Sequence, residues 1–503
     1  MKKILIGIII IIAISLGVFF IQDEKEFNIT FNNTSVNIPD NVILKDNVIY
    51  ISQGGKYILS GLAKDYEVKI DTDKSVTLVL DNLSLERDKD AINILNAKDI
   101  TIEVIGDNTI SSIEGVGIYS KSDINIKGTG KLNIDAYEGI KTDGELQVEE
   151  VKLNINSTSD AIEAKVLGLN KVDIKIKTNG TYIEDNESGR YAFINNRYIK
   201  VAKSDLEEYN KLYSLVVSSK GMNIEETLNV IESNLDIDSI DDAINAKKTI
   251  NMHKTNGIMN TNDDAISSDT EIVLDECNID IKACYEGIEA EYITIKSSNL
   301  NISGDDDALN IVSDEEKGEL FVDKSNINID VNGDALDIMG KIDIANSSMY
   351  MKAGDNGIQS REFSVNNSKI EVYSYNIETY AHITKPIILE GEIILAQNSD
   401  KFFLATNYQK TLEATKTPYA IINNLNSFKI VDENNNVIFE TNNKEPECKN
   451  YIYINNKIQK DVTYYLVTEN TKEILEFNNV KWCISYKTTV NNIKNIVKKQ
   501  EMW

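Results

Sequence analysis

Asp241-Asp242-Ala243-Ile244, Asp263-Asp264-Ala265-Ile266 and Tyr285-Glu286-Gly287-Ile288 decide the fold. Each is an acid, then a small residue, then a branched apolar one, and the acids stand 22 positions apart. The same unit recurs upstream as Lys89-Asp90-Ala91-Ile92, Tyr137-Glu138-Gly139-Ile140 and Ser159-Asp160-Ala161-Ile162. Downstream it returns as Asp306-Asp307-Ala308-Leu309, Gly333-Asp334-Ala335-Leu336 and Asp355-Asn356-Gly357-Ile358, with a weaker copy at Gly115-Val116-Gly117-Ile118. A fixed period of this size is the signature of a solenoid.

Two more columns keep the same period. One contains Ile124/Ile126, Leu146/Val148, Ile250/Met252, Ile272/Leu274 and Ile293/Ile295; the other contains Leu132/Ile134, Leu153/Ile155, Ile279/Ile281 and Leu300/Ile302. Residues two apart share one face of a strand. Each repeat therefore predicts three short strands and three corners. A single coil cannot bury its apolar face, but stacked coils can. The expected fold is an all-β parallel β-helix spanning 45–380. The one long step between acids contains the polar run Ser313-Asp314-Glu315-Glu316-Lys317-Gly318, which reads as a surface loop after the first strand.

A longer insert, assigned to about 182–236, interrupts the repeat. Within it, apolar runs flank Asn195-Asn196 and predict a β-hairpin that carries Tyr191 and Tyr198. Ser204 to Leu212 reads as a short capped helix. Residues 381–503 lose the period and read as a small C-terminal β domain or cap. The tail from Thr488 to Trp503 predicts a basic packing helix. Ahead of everything, residues 1–22 hold Lys2 and Lys3 followed by an apolar run from Ile4 to Ile21. That pattern predicts a signal anchor, favoured over a cleaved signal peptide, with the body outside the cell or secreted.

The formal net charge of −28 makes nucleic acid and anionic membranes poor partners, leaving membrane contact to the N-terminal segment. The four cysteines, Cys277, Cys284, Cys448 and Cys483, match no zinc spacing. Cys277 falls in step with Ile279 and Ile281 and is expected in the core. A Cys448–Cys483 bridge stays open.

Stacking the turn also stacks its carboxylates roughly 5 Å apart. Coulomb repulsion is then about 0.8 kcal/mol per pair in water and about 3 kcal/mol at an effective dielectric near 20. Calcium, which takes about six to eight oxygen ligands, would relieve it. The candidate ligands are Asp241, Asp242, Asp263, Asp264, Glu286, Asp305, Asp306, Asp307 and Asp334. The competing reading is that each acid simply caps its own corner by accepting backbone N–H groups. Candidate sugar-stacking faces are Tyr137, Tyr285, Tyr191 and Tyr198, against local packing of the same rings over a corner. The histidines, His253 and His382, form no evident dyad.

Gly55-Lys56-Tyr57-Ile58-Leu59-Ser60-Gly61, Val76-Thr77-Leu78-Val79-Leu80-Asp81, Ser218-Ser219-Lys220-Gly221 and Tyr285-Glu286-Gly287-Ile288-Glu289 resemble the bacterial carbohydrate-binding domain proteins. Asp432-Glu433-Asn434-Asn435-Asn436-Val437-Ile438-Phe439 is similar to that family's terminal β segment. The resemblance implies a right-handed parallel β-helix like that of pectate lyases, and polysaccharide binding with calcium. His253-Lys254-Thr255 and Ser297-Ser298 stand where members often carry Gly-Gly, which marks a divergent member. Two other functions stay open: a calcium-dependent polysaccharide lyase, and a structural surface rod or adhesin that binds proteins.

Overall fold

The computed structural model describes residues 25–186, 189–193, 198–200, 215–216, 218–313, 317–374, 380–381, 389–398, 417–441, 448–477, 483–490 and 494–501. Among them there are no helices. The body is a β-solenoid of about 14 turns with parallel strands. Each turn contributes one strand to each of three sheets. The first sheet starts at the acid corner and runs through Ile140, Ile162, Met222, Ile244, Ile266 and Ile288, each paired with the next. The second places Ile124 against Leu146, Leu146 against Leu167 and, after the insert, Leu228 against Ile250 and Ile250 against Ile272. The third runs from Glu26–Asn33 through Gly55–Lys64 and Val76–Arg87, and onward coil by coil to Leu389–Gln397.

The inward residues of all three sheets form one continuous apolar core. Ile140, Ile244, Leu146, Leu228, Leu274 and Leu132 are fully buried. Each contributes about 2 kcal/mol relative to exposure. The small residue of the repeated turn has its own cause. A Cβ on Gly139, Gly221 or Gly287 would lie 2.3–2.4 Å from the alanine carbonyl of the next coil. Coils pack so closely at this corner that nothing larger than Ala fits.

The corner between the second and third sheets explains the missing Gly-Gly. Its tight turn puts Lys254, Glu276, Ser297, Lys324, Asn346 and Asn367 at φ near +50. A non-glycine residue there costs about 1 kcal/mol. The following residue compensates. Cys277 N–H donates to Ser298 Oγ (2.9 Å), Ser298 N–H to Ser325 Oγ (3.2 Å), Ser325 N–H to Ser347 Oγ (3.1 Å), and Ser347 N–H to Ser368 Oγ (3.0 Å). This buried hydroxyl column satisfies backbone donors from coil to coil. Cys277 belongs to it, buried as expected, and Cys448 is buried as well.

Both ends of the solenoid are covered. The hairpin Val42–Lys45/Val48–Ile51 turns at Asp46 and Asn47, both at positive φ, and joins the first coils. At the other end, Leu389–Gln397 pairs antiparallel with Asn450–Asn455, and a second core forms around Phe428, Tyr451 and Tyr453. The expected hairpin is present: Gly189–Phe193 pairs antiparallel with Tyr198–Lys200, placing Tyr191 opposite Lys200 and Phe193 opposite Tyr198. The coil resumes at Met222, inside the span the sequence assigned to the insert, because Met222–Ile231 pairs with Ile162–Asn170.

One expectation is corrected. The tail is not a helix: Cys483–Val490 and Lys494–Glu501 form an antiparallel pair. Ile484, Thr488 and Val490 alternate with Ser, Lys and Thr at the period of a strand, and their β-branching disfavours a helix. Ser204 to Leu212, His382 and the apolar run Ile4 to Ile21 lie outside the described residues.

Candidate functional site

The repeated turn does stack its acids along one corner, but the stack is not uniform. At its simplest, an Asp of one coil accepts the backbone N–H of the acid position in the next coil. Asp90 Oδ1 accepts from Val116 N (3.0 Å), Asp307 Oδ1 from Asp334 N (2.6 Å) and Asp334 Oδ1 from Asn356 N (2.7 Å). In these three, capping runs between coils and not within the acid's own corner, whereas Asp241 Oδ1 accepts within its own corner from Asp242 N (2.9 Å). Asp305 is tied as well, its Oδ1 accepting from Asn332 Nδ2 at 3.3 Å. Burial pushes the Asp307 carboxyl up to about 7 and that of Asp334 up to about 6, although the backbone donors pull the other way.

In the middle of the column the acid is replaced. Lys220 occupies the acid position, since Ala161 N–H donates to Lys220 O just as Ala243 N–H donates to Asp264 O. Its Nζ lies 2.8 Å from Asp241 Oδ1 and 2.5 Å from Asp242 Oδ2. Both aspartates are buried. Burial alone would lower the Lys220 pKa, but the carboxylates of Asp242 and Asp241 outweigh it and raise it. One coil earlier, Asp160 accepts from Ser218 Oγ (2.5 Å), Lys220 N (2.8 Å) and Asn223 Nδ2 (2.7 Å). The sequence contained the signal: Lys220-Gly221-Met222 has the small-then-apolar step of the turn, with a cation in place of the acid.

The next coils have no such lysine. Carboxylate oxygens of Asp264, Glu286 and Glu289 all lie within 4.8 Å of one another. Asn310 Nδ2 donates to Glu286 Oε2 (2.8 Å) and Glu289 Oε2 (3.2 Å). Burial, followed by the charges of Asp242, Asp263, Glu286 and Glu289, pushes the Asp264 carboxyl up to about 9. Burial and a hydrogen bond with Glu289 push Glu286 up to about 8. Oxygen donors gathered without a side-chain cation form the donor set a hard divalent ion takes. Asp241, Asp242 and Asp263 also converge, but around the Lys220 ammonium. Of the candidate ligands, then, Asp264 and Glu286 form an uncompensated cluster, and Glu289 joins them unforeseen. Asp160, Asp307 and Asp334 are corner caps.

Tyr137 and Tyr285 are 39% and 46% exposed beside Glu138 and Glu286. Five register steps separate them, roughly 24 Å, so they form no common platform. Only the backbone of Tyr191 and Tyr198 is described. His253 is not isolated: its Nδ1 lies 3.2 Å from Asp275 Oδ2 of the next coil.

A different face carries a recess. Along the outer side of the third sheet a groove of about 730 Å³ crosses successive coils. Register aligns Lys131, Lys152, Asp173, Asn234, Asn256 and Asn278 along one edge. Lys175, Asp236, Ile258 and Asp280 line the floor. Ile258 is 43% exposed. Side-chain amides bridge coils: Asn256 Nδ2 donates to Asn234 Oδ1 (2.9 Å) and Asn234 Nδ2 to Asp173 Oδ1 (2.6 Å). Lys175 Nζ meets Asp236 Oδ2 at 2.7 Å. Three lysines and three aspartates line the groove, so it is charge-balanced within a chain of net charge −28. Amides, paired charges and one aliphatic face make a surface that hydrogen-bonds polyols without repelling them. The sequence hid this groove because Asp173 and Asn234 are neighbours across the whole insert. None of the corner acids lines this groove, so the two sites are distinct.

The family model of carbohydrate-binding domain-containing proteins matches residues 45–195 and 256–401, more than half of the chain. A carbohydrate-binding domain-containing protein from Acetivibrio thermocellus is 30% identical over 141 residues, which are 24% of this chain and 49% of that protein. The chain thus matches about half the length of that curated relative. The solved structure of a polysaccharide lyase-like protein from C. thermocellum, as its gadolinium derivative, is 19% identical. It covers 58% of this chain and 98% of its own, with a TM-score of 0.32, a likeness too slight to support a functional argument. The repeated corner, the inserted hairpin and the span of the family match lead to one conclusion: the chain belongs to the carbohydrate-binding domain-containing family.

Proposed function

We propose that the protein binds a polysaccharide outside the cell without cleaving it, and that the third-sheet groove is where the polymer lies. The observation that carries this reading is the charge-balanced groove, with Ile258 exposed on its floor between asparagine and ion-paired walls. An aliphatic face flanked by amides suits a pyranose ring, whose faces are apolar and whose rim is hydroxylated. Calcium held by Asp264, Glu286 and Glu289 would fix the neighbouring corner and the exposed ring of Tyr285. Its contribution there is charge neutralisation, since Asp264 and Glu286 otherwise hold protons near neutral pH. The N-terminal apolar run would tether the body to the outer face of the membrane.

The test is retention of the purified protein on a panel of insoluble and arrayed polysaccharides, with and without EDTA. Ile258→Asp is expected to weaken retention at least roughly tenfold, because it charges a contact made with an apolar ring. Retention unchanged by Ile258→Asp would sink the groove as the binding face. Unsaturated sugar products absorbing in the ultraviolet would establish a lyase instead.

A further inference from the structure

A second recess, of about 590 Å³, lies nearer the C-terminal end of the solenoid. Its edge is formed by Asn299, Asn326, Ser348 and Lys369, and Asn456 and Lys457 of the C-terminal cap close it. Register joins the two recesses: Asn278, the last edge residue of the first, pairs with Asn299, the first of the second. The column then continues through Asn326, Ser348 and Lys369 to Glu392 without a break. The cap is held at that end by Asn456 N–H donating to Gly391 O at 3.0 Å. From Lys131 to Glu392 there are ten register steps, roughly 48 Å at the spacing of parallel strands.

Resting on the reading that the groove binds polysaccharide, we infer that both recesses are one track for a single straight, neutral glycan that runs parallel to the solenoid axis as far as the cap. Three features carry this. The edge residues are collinear by backbone pairing. An extended pyranose chain advances per sugar by about one coil spacing, so one sugar meets one coil. Of the three lysines that line the second recess, Lys369 Nζ is ion-paired to Glu371 and Lys324 Nζ lies 4.0 Å from Asp323 Oδ2, and Glu392 lines the recess together with Lys457. The track thus avoids both the strong positive field an acidic polymer would seek and the negative field of the remaining surface. The first recess alone accommodates about five sugars and the whole track about ten, by the same spacing.

The experiment is calorimetric titration of the full chain with size-fractionated oligosaccharides of cellulose, xylan and mannan, with polygalacturonate fragments as the acidic comparison. Ser348→Tyr places a ring on an exposed edge position of the second recess, and Lys457→Ala removes part of its end wall. For a neutral series, affinity is expected to rise roughly tenfold or more between about five and about ten sugars, as further subsites add to one chain. Ser348→Tyr should abolish that gain while leaving pentamer binding unchanged, and Lys457→Ala should reduce it. A plateau at about five sugars, a length gain that survives Ser348→Tyr, or preference for polygalacturonate overturns the inference, and in those cases Ile258-dependent binding of short chains still stands. Loss of all binding, short and long, overturns the proposed function with it.

Discussion

Two stretches of one corner handle stacked acids in opposite ways. Around Lys220 the repulsion is met from within: an ammonium sits between Asp241 and Asp242, and Asp160 is saturated by Ser218, Lys220 N–H and Asn223. Two coils on, Glu286 and Glu289 share one amide, from Asn310, and Asp264 and Glu286 hold protons instead. The turn motif is the same in both. A fold can thus afford a column of carboxylates if each stretch finds a counterion, a hydrogen-bond donor or a proton. The stretch that relies on protons is the one we propose would exchange them for a metal.

The largest effect should come from turning the first stretch into the second. Lys220→Met leaves two buried carboxylates without their cation and is expected to cost about 3 kcal/mol in urea denaturation without metal. It should also make the protein more responsive to calcium, because Asp241, Asp242 and Asp263 then converge with no ammonium between them. A Lys220→Met protein as stable as the wild type would show that the lysine is incidental to the column.

Next comes calcium on the unaltered protein. At about 100 times its dissociation constant it should raise stability by about 2.7 kcal/mol. Glu286→Gln should remove most of that gain, whereas Asp334→Asn, at a corner cap, should leave it intact. Equal loss in both variants would mean that the ion sits elsewhere.

Asp160→Asn tests the saturated cap. It keeps the shape but weakens three hydrogen bonds to a charged acceptor, and is expected to cost about 2 kcal/mol, independent of calcium. Thermal melts with and without EDTA would reveal any metal dependence.

The pH response comes last and has a definite sign. Asp264 and Glu286 titrate near 9 and 8 when folded, and near 4 when unfolded. Between these limits the folded chain binds protons that the unfolded chain does not. Without metal, these groups make stability fall as pH rises from about 4 to about 9. Calcium binds the ionised form, so it should flatten the slope, and each ion bound above neutral pH should release protons. Denaturation midpoints at pH 6 and 9, with and without calcium, check both signs.

Much of this fold was legible because a solenoid writes its geometry as a period. The acid, small and apolar columns followed from the spacing of Asp242, Asp264 and Glu286, and the loop after Ile311 followed from one long step. The site was less legible. The sequence marked Asp305, Asp306 and Asp307 as candidate ligands, yet Asp307 serves the backbone of the next coil, while Glu289 completes a cluster from the outward-facing side of a strand. Lys220 escaped notice because the insert hides its register.

By itself the sequence determined the repeat, its three strands and its corner, since burial of one face and closeness of backbones act on every coil alike and leave the same residue types each time. The tertiary structure decided which acid meets a cation, which meets a backbone N–H and which meets only other acids. It also decided that Asp173 and Asn234, 61 positions apart, line one groove. Those outcomes depend on what lies one coil above and below, a distance of about 4.8 Å in space that the chain may take a whole inserted hairpin to cover.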